Sequence, residues 1–258
     1  MFDALFAQVF LLRGNHEDIN MNSRYGFSKE CSVAFGDADG SLVFRHVNNM
    51  FYYLPVAAVV DEAVFCVHGG LGPTVRSLQS IRLLDSLKPL ALEVESLEDE
   101  DQTLVDMLWA DPTEPNDATT LDDNGFAENS DRKMSVFWGL QATKAFLKAT
   151  NMEMIIRAHE CQAAGVAPCH DGLVLTVFSS AGYSQGNDAA VVIYNGDPSR
   201  IEARCVNKEL VPVGSSSGRE RVRGSGGCLT YFPVSGFTHQ RSAAGRLPCL
   251  LPAQCCLC

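Results

Sequence analysis

The apolar run Val9-Phe10-Leu11-Leu12 leads directly into Arg13-Gly14-Asn15-His16-Glu17, and this stretch decides the fold. Short apolar runs bounded by glycine and polar residues are typical of buried strands, so we expect a strand that ends in a loop. Asn15 supplies a neutral oxygen ligand, and His16 can exchange a proton near neutral pH. Gly14 lets the backbone turn closely enough to present both side chains together.

The same pattern occurs twice more along the chain. Residues 63–67 form an apolar run that enters His68-Gly69-Gly70, and residues 154–156 form one that enters Arg157-Ala158-His159. Functional loops gather at the carboxyl ends of strands in open α/β sheets. We therefore expect an α/β fold in which the three histidine-bearing loops converge.

Length and composition exclude several classes of protein. The chain has 258 residues, of which 46% are hydrophobic, and its formal net charge is -11. That charge argues against a duplex-coating nucleic-acid binder, because phosphates are neutralised by clustered Lys and Arg. The sequence contains no apolar run long enough to span a membrane and no basic leader at its start. Five cysteines scattered singly before residue 206 are typical of reduced thiols, so we expect a soluble intracellular protein.

Two regions differ from the rest in composition. Residues 93–131 contain fourteen acidic side chains and no Lys or Arg, which favours a solvated acidic surface over a wall that selects basic partners. From residue 214 onward, Ser- and Gly-rich segments alternate with arginines, and this composition is typical of a flexible linker. We therefore predict a folded domain over 1–213 and a low-complexity, disordered tail over 214–258.

Several further elements are predicted from local patterns. Residues 104–109 are expected to form an amphipathic turn, and residues 141–151 a helix. Residues 173–178 and 190–194 are expected to form strands. The segment Gly36-Asp37-Ala38-Asp39-Gly40 is interpreted as a turn.

Four segments together resemble the metallo-dependent serine/threonine phosphoprotein phosphatases. They match in order and in spacing over roughly residues 5 to 207, and they are residues 11–17, 68–71, 109–112 and 157–160. Asn20-Met21-Asn22, Tyr25-Gly26-Phe27 and residues 143–147 are most similar to the type-5 branch. The resemblance implies a calcineurin-like metallophosphoesterase fold, a β-sandwich flanked by helices.

The resemblance also implies two divalent metal ions, either manganese or iron with zinc. Asn15, His68 and His159 match the family's ligands for one of them. Two metal ions together activate a water molecule and grip the phosphoryl oxygens during hydrolysis. By the resemblance, a metal-bound hydroxide would therefore attack phosphoserine or phosphothreonine in protein substrates.

Three other residues acquire roles from the same resemblance. His16 matches the general acid that protonates the departing alkoxide, a step that contributes about 10²–10⁴-fold to the rate. Arg132 matches an arginine that clamps the substrate phosphate, since its guanidinium forks onto two oxygens. Tyr183 matches an aromatic residue that overhangs the pocket, and Arg13 matches a residue that supports the Asn15 loop.

Part of the family pattern has no counterpart here. The family carries two aspartate-rich metal motifs before the Gly-Asn-His-Glu loop, and this sequence starts only fourteen residues before Asn15. We therefore expect an N-terminally truncated domain in which only one metal site keeps its ligands. Ala181-Gly182 and Lys133 also replace the family's usual residues near the pocket.

Two functions of different classes remain open at this stage. The first is a metal-dependent phosphoprotein phosphatase, and the second is a catalytically inactive pseudophosphatase that acts as a protein-binding module. A nucleotide or dinucleoside-polyphosphate phosphatase is disfavoured, because residues 109–112 and Tyr183 resemble the protein-directed branch. The resemblance implies phosphoprotein substrates and a regulatory subunit or helical-repeat domain as partner. The scattered single thiols and the lack of a basic leader favour a cytoplasmic or nuclear location. His46, His170 and His239 match nothing and are interpreted as surface or loop residues.

Overall fold

The computed structural model describes residues 9–90 and 98–206 except 116, 118 and 185, together with the backbone of 229–231 and 250–251. The first helices are α1 (Ile19–Arg24), α2 (Phe27–Phe35) and α3 (Asp37–Phe51). Asp18 begins α1 by accepting a hydrogen bond from the Asn20 amide. Helices α2 and α3 approach closely at Gly40, where a Cβ atom would lie 2.6 Å from the Cys31 carbonyl oxygen.

The turn predicted at residues 36–40 is wrong, because only Gly36 makes the turn. Gly36 has φ of 82° and separates α2 from α3, and Asp37 already begins the second helix. Asp37 and Asp39 lie in the first turn of α3, where carboxylates interact favourably with the helix dipole. The acidic residues that suggested a turn therefore start a helix.

A six-stranded sheet forms the centre of the fold. Its strands are β1 (Ala57–Val60), β2 (Val64–Val67), β6 (Met154–Arg157), β7 (Val166–Cys169), β8 (Val174–Val177) and β11 (Leu229–Tyr231). They are ordered β11-β1-β2-β6-β8-β7, and β2, β6 and β8 run parallel to one another. The loops that follow β2 and β6 therefore leave the same edge of the sheet.

Two three-stranded sheets and the remaining helices complete the domain. One sheet has the order β10-β9-β12, from β9 (Ala189–Ile193), β10 (Glu202–Val206) and β12 (Leu250–Leu251). The other has the order β3-β5-β4, from β3 (Asp111–Pro112), β4 (Phe126–Glu128) and β5 (Val136–Trp138). The helices are α4 (Leu78–Leu83), α5 (Asp99–Trp109) and α6 (Leu140–Thr150), with 3₁₀ turns at His170–Gly172 and Pro198–Arg200.

The central sheet separates two hydrophobic cores. Alternate strand residues point to opposite faces, so Phe65 and Ile155 pack with Leu104 of α5, while Val64 and Ile156 pack with Val192 of β9. One face is thus covered by helices and the other by the β9 sheet. This arrangement confirms the predicted α/β β-sandwich flanked by helices.

The strand predicted over Val9–Leu12 is not formed. Val9 and Leu11 are 55% and 54% exposed, and directly after the run the Arg13 N–H donates to the Pro55 carbonyl oxygen at 2.9 Å. Apolar composition alone does not make a strand, because a strand also needs a partner for its backbone groups. The run therefore enters the Asn15 loop as extended chain without regular structure.

The other local predictions agree more closely with the structure. The predicted helix over 141–151 and the strands over 173–178 and 190–194 correspond to α6, β8 and β9, whereas the turn at 104–109 is the end of α5. Among the described residues, no helix is both long and apolar enough to cross a membrane. Within the predicted tail, residues 229–231 pair with β1 and residues 250–251 pair with β9. The rest of 214–258 lies outside the described residues.

Candidate metal and phosphate site

The loop that carries Asn15 and His16 is held by buried charged side chains. Arg13 is fully buried, and its guanidinium donates to the carbonyl oxygens of Glu17 (3.0 Å) and Ser86 (2.9 Å) and to the Asp18 carboxylate (3.2 Å). The Glu17 carboxylate in turn accepts from the Gly14 amide at 2.7 Å. Burial raises the pKa of Glu17 and lowers that of Arg13. These contacts fix the backbone that presents Asn15.

Asn15, His68 and His159 come together at one point. The Nε2 atom of His68 lies 2.8 Å from Oδ1 of Asn15 and 3.1 Å from Nδ1 of His159. His68 follows β2 and His159 follows the parallel neighbour β6, so the sheet itself brings the two imidazoles together. His159 has φ of 65°, a left-handed conformation that turns its ring back toward the cluster.

The three converging atoms suit a divalent metal ion. Burial lowers the pKa of the His68 and His159 imidazoles well below the ordinary value. The next largest cause is the nearby charge of Arg157 for His68 and that of His68 for His159. Both rings are therefore neutral at pH 7 and keep a nitrogen lone pair for a metal. One amide oxygen and two imidazole nitrogens form a donor set that manganese, iron and zinc all accept. The residues present thus fit the metal that the resemblance implies.

His16 lies beside this cluster but outside it. Its half-buried ring packs edge-on against Tyr25 with ring centroids 4.8 Å apart, and the two line a shallow depression with Asn22, Phe27 and Glu30. Burial lowers the pKa of His16. A charge on His16 would lower the pKa of both His68 and His159, so the ring lies within electrostatic range of the cluster.

Arg132 is held against a buried carboxylate. Its Nε and Nη2 atoms donate to Oδ2 and Oδ1 of Asp111 at 2.8 and 3.4 Å, and Asn129 donates to the same Oδ2 at 3.0 Å. Burial alone would raise the pKa of Asp111, but Arg157 and Arg132 hold it below the ordinary value. The Arg132 side chain remains 30% exposed, so it lies at the border between the site and solvent.

Arg157 connects the loops that surround the cluster. It is fully buried and donates to the carbonyl oxygens of Gly69 (2.7 Å) and Ala110 (2.9 Å), to Asp111 Oδ1 (2.9 Å) and to Glu160 Oε2 (2.6 Å). One guanidinium therefore ties the histidine loop after β2 to the Asp111 segment and to the loop after β6. Sequence reasoning assigned no role to Arg157, Asp111 or Glu160, although all three lie in matched motifs beside assigned residues.

Tyr183 is placed at the surface of the domain. It is 50% exposed and packs edge-on against Phe178, with ring centroids 5.3 Å apart. Its role above the pocket stays a prediction.

His170 is not the surface or loop residue that its lack of a motif suggested. It is fully buried, with Nδ1 2.7 Å from the Thr143 hydroxyl and Nε2 3.0 Å from the Thr113 carbonyl oxygen. The Thr143 hydroxyl also accepts from the Trp138 indole at 3.0 Å. This network is complete with a neutral His170, which burial favours by lowering its pKa. His46, by contrast, is exposed on α3, and His239 lies outside the described residues.

Glu114, Cys169 and His170 place one ligand-type atom each within 4.8 Å of one another, but they suit a metal poorly. Both imidazole nitrogens of His170 are already hydrogen-bonded, and the Glu114 carboxylate accepts from the His170 amide at 2.7 Å. Burial raises the pKa of Cys169 to about 12, which disfavours the thiolate that metals bind. The group is a hydrogen-bonded core cluster.

Comparison with known proteins shows the family of the chain. The calcineurin-like phosphoesterase family matches residues 1–163. The serine/threonine-protein phosphatase BSL2 of Arabidopsis thaliana is 32% identical over 189 residues, which cover 73% of this chain and 17% of that protein. A solved serine/threonine phosphatase of Saccharomyces cerevisiae, described as similar to human phosphatase PP5, has 26% identity and a TM-score of 0.63. That alignment covers 79% of this chain and 62% of the yeast one.

This chain thus spans less than a fifth of the plant relative and about three fifths of the yeast structure. The matched residues include the loops of Asn15, His68 and His159, the three side chains that meet at the sheet edge. Sequence motifs, fold and site geometry therefore agree, and the chain belongs to the calcineurin-like phosphoesterase family, among relatives that are serine/threonine protein phosphatases.

Proposed function

We propose that the chain supplies one metal-binding half and the proton-transfer histidine of a serine/threonine protein phosphatase. The observation that carries the proposal is the convergence of three ligand atoms. The Nε2 atom of His68 lies 2.8 Å from Oδ1 of Asn15 and 3.1 Å from Nδ1 of His159. These residues would hold one divalent metal ion, manganese, iron or zinc. When bound, the metal supplies Lewis acidity toward a phosphoryl oxygen and the attacking water.

His16 is the proton donor in this proposal. Hydrolysis of phosphoserine or phosphothreonine releases an alkoxide, which needs a proton as the ester bond breaks. His16 is half-buried within electrostatic range of His68 and His159, and we therefore assign it the proton that a leaving oxygen at the cluster needs. Because burial lowers its pKa, a bound phosphate dianion would be needed to keep the ring protonated at pH 7.

Arg132 binds the phosphate in this proposal, with Asp111 as its positioning residue. The carboxylate takes the Nε edge of the guanidinium at 2.8 Å, while the longer Nη2 contact of 3.4 Å is the weaker of the two. The guanidinium has five donors, so it can keep the Nε bond and still present others to a phosphate. Phosphorylated protein segments are therefore the substrates that we propose.

An inactive binding module is the second candidate function, and the ion pair between Arg132 and Asp111 favours it. In this structure Arg132 donates two hydrogen bonds to Asp111. The Asp111 carboxylate therefore competes directly with a phosphate for the guanidinium. If the pair does not open, the surface can bind phosphatase partners without hydrolysing an ester.

Metal content and hydrolysis measured together distinguish the two candidates. We would load the purified chain with Mn²⁺, quantify the metal by mass spectrometry and follow p-nitrophenyl phosphate hydrolysis. The phosphatase proposal expects bound metal and turnover, with the rate reduced about 10²–10⁴-fold in His16→Ala at unchanged metal content. His46→Ala, an exposed histidine on α3, is the matched control. Bound metal without turnover would support the binding module, and absence of both would refute the metal site.

A further inference from the structure

An open groove lies between helix α6 and the segment that follows β3. It encloses about 500 Å³ and is lined by Thr113, Pro115, Leu121, Gly139, Leu140, Gln141 and Lys144. Most of the lining surface is apolar. Leu121 packs so closely over Gly139 that a Cβ atom there would collide with it. The groove is therefore a preformed apolar depression with room for one large apolar side chain together with neighbouring residues of the same segment.

Hydrogen bonds hold both walls of the groove in place. The Thr113 amide donates to the Trp138 carbonyl oxygen at 2.9 Å, and the Gly139 amide donates to the Gly125 carbonyl oxygen at 2.9 Å. The Gln141 side chain reaches across and donates to the Asp123 carbonyl oxygen at 2.7 Å. These bonds connect Thr113, Asp123 and Gly125 to β5 and to the start of α6, so both walls of the groove are tied to the same elements.

The rim of the groove is negative. Three carboxylates lie beside lining residues: Asp117 accepts from the Thr113 hydroxyl at 2.9 Å, and the exposed Asp122 and Asp123 directly follow Leu121 along the chain. Asp117 accepts from the Thr113 hydroxyl and a backbone amide, Asp122 accepts from backbone amides, and none of the three carboxylates joins an ion pair among the described residues. The one cation in the lining, Lys144, is already paired with Asp171 at 3.0 Å. A ligand in the groove therefore meets an uncompensated negative field.

The groove also lies close to the phosphate site along the chain. Asp111, which holds Arg132, and Thr113, which lines the groove, are separated by Pro112 at the end of β3. Two residues of extended chain span about 7 Å. A polypeptide segment bound near Arg132 could therefore also reach the groove.

We propose that this groove is a docking site for a polypeptide segment of a partner protein, with one leucine-sized apolar side chain flanked by Lys or Arg. The apolar side chain lies in the groove against Leu121 and Leu140. The flanking cations face the carboxylates of the rim. Neither the apolar contact in the groove nor the charge contact at the rim requires the chain to hydrolyse a phosphate ester. The docking site can thus serve a phosphatase or an inactive binding module alike.

Fluorescence polarisation with the full chain tests the proposal. The probe is a fluorescein-labelled peptide, Gly-Arg-Arg-Ser-Leu-Ser-Arg-Arg-Gly, with two controls in which either the leucine is serine or the arginines are glutamine. We expect binding that weakens with salt and about tenfold weaker binding for each control peptide. Leu121→Gln and Asp123→Lys should each weaken binding of the first peptide about tenfold as well.

Two variants elsewhere serve as matched controls. Leu83→Gln changes a leucine that is 65% exposed on α4, and Asp39→Lys makes the same charge change on α3. Both should bind the peptide as the original chain does. Equal weakening by Asp39→Lys and Asp123→Lys would show attraction to the net charge alone and would overturn the proposal.

Two other outcomes also contradict it. If Leu121→Gln unfolds by circular dichroism, the exposed Asp123→Lys still decides, because peptide binding that this variant leaves unchanged refutes the groove. If the peptide does not bind and sedimentation shows a dimer that Asp123→Lys dissociates, a second copy of the chain occupies the groove instead.

Discussion

Arg157 shows how one side chain can hold several loops of a site. It lies fully buried beneath the Asn15–His68–His159 cluster, with donors to three chain segments and its guanidinium 5.9 Å from the centre of the Trp138 ring. A lysine could not make these contacts, because it lacks the planar fork of donors. The loops after β2 and β6 therefore depend on an arginine at this position.

We expect Arg157→Met to lower the free energy of unfolding by about 3 kcal/mol. This value is near the lower end of the range of losses that follow when one partner of a buried ion pair is removed. The lower end applies because Arg132 still compensates Asp111. Urea unfolding followed by circular dichroism measures the change. Arg200→Met removes an ion pair in which the arginine is 84% exposed, and it should cost less than about 1 kcal/mol. Equal losses in both variants would contradict a buried role for Arg157.

The hydrogen-bonded chain from Trp138 through Thr143 to His170 makes a second prediction at this scale. Thr143→Val leaves the indole N–H and the imidazole Nδ1 buried without partners, so we expect a loss of about 1–3 kcal/mol. Thr150→Val, a hydroxyl bonded only to carbonyls of its own helix, is the control and should cost less. A smaller loss in Thr143→Val than in Thr150→Val, by the same urea titration, would refute the network.

At the scale of elements, helix α5 contains a buried carboxylate that acts against folding at neutral pH. Asp106 is fully buried, accepts from Gln102 and Ser135 on Oδ1, and has no hydrogen-bond partner on Oδ2 among the described residues. Burial raises its pKa to about 6 from an ordinary 3.8. The folded state therefore binds this proton more tightly than the unfolded chain does.

The sign of the pH effect follows from that difference. Proton binding by Asp106 stabilises the folded state fully below about pH 4, and this stabilisation is lost as pH rises through 6. The free energy of unfolding falls by roughly 3 kcal/mol at most over that range. We expect Asp106→Asn to remove this slope, measured as the difference in unfolding free energy between the two chains from pH 4 to pH 7. A difference that stays constant over that range would contradict the raised pKa.

Elements also show what could be predicted from sequence and what could not. The alternation of apolar runs with histidine loops was enough to predict β2 and β6 and the convergence of His68 and His159, because parallel neighbours end at one edge. It was not enough for Val9–Leu12, since a strand depends on a distant partner that local composition does not specify. The partners of Arg132 and His170 were not predicted for the same reason, because Asp111 and Thr143 lie 21 and 27 residues away from them in sequence.

At the scale of the whole molecule, the site joins segments that are far apart in sequence. Asn15 and His68 are 53 residues apart and His68 and His159 are 91 apart, yet their ligand atoms meet. A metal held at this point links the Asn15 loop to the central sheet. Binding of that metal to the folded chain alone should therefore stabilise the whole domain.

We expect Mn²⁺ at about 100 times its dissociation constant to raise the free energy of unfolding by about 2.7 kcal/mol at pH 7. His68→Ala should abolish this gain because it removes the central ligand, whereas His46→Ala should keep it. Thermal unfolding with and without Mn²⁺ gives the result without any assay of hydrolysis. An equal gain in all three chains would place the metal elsewhere, and no gain in the original chain would mean that three ligands do not retain the ion.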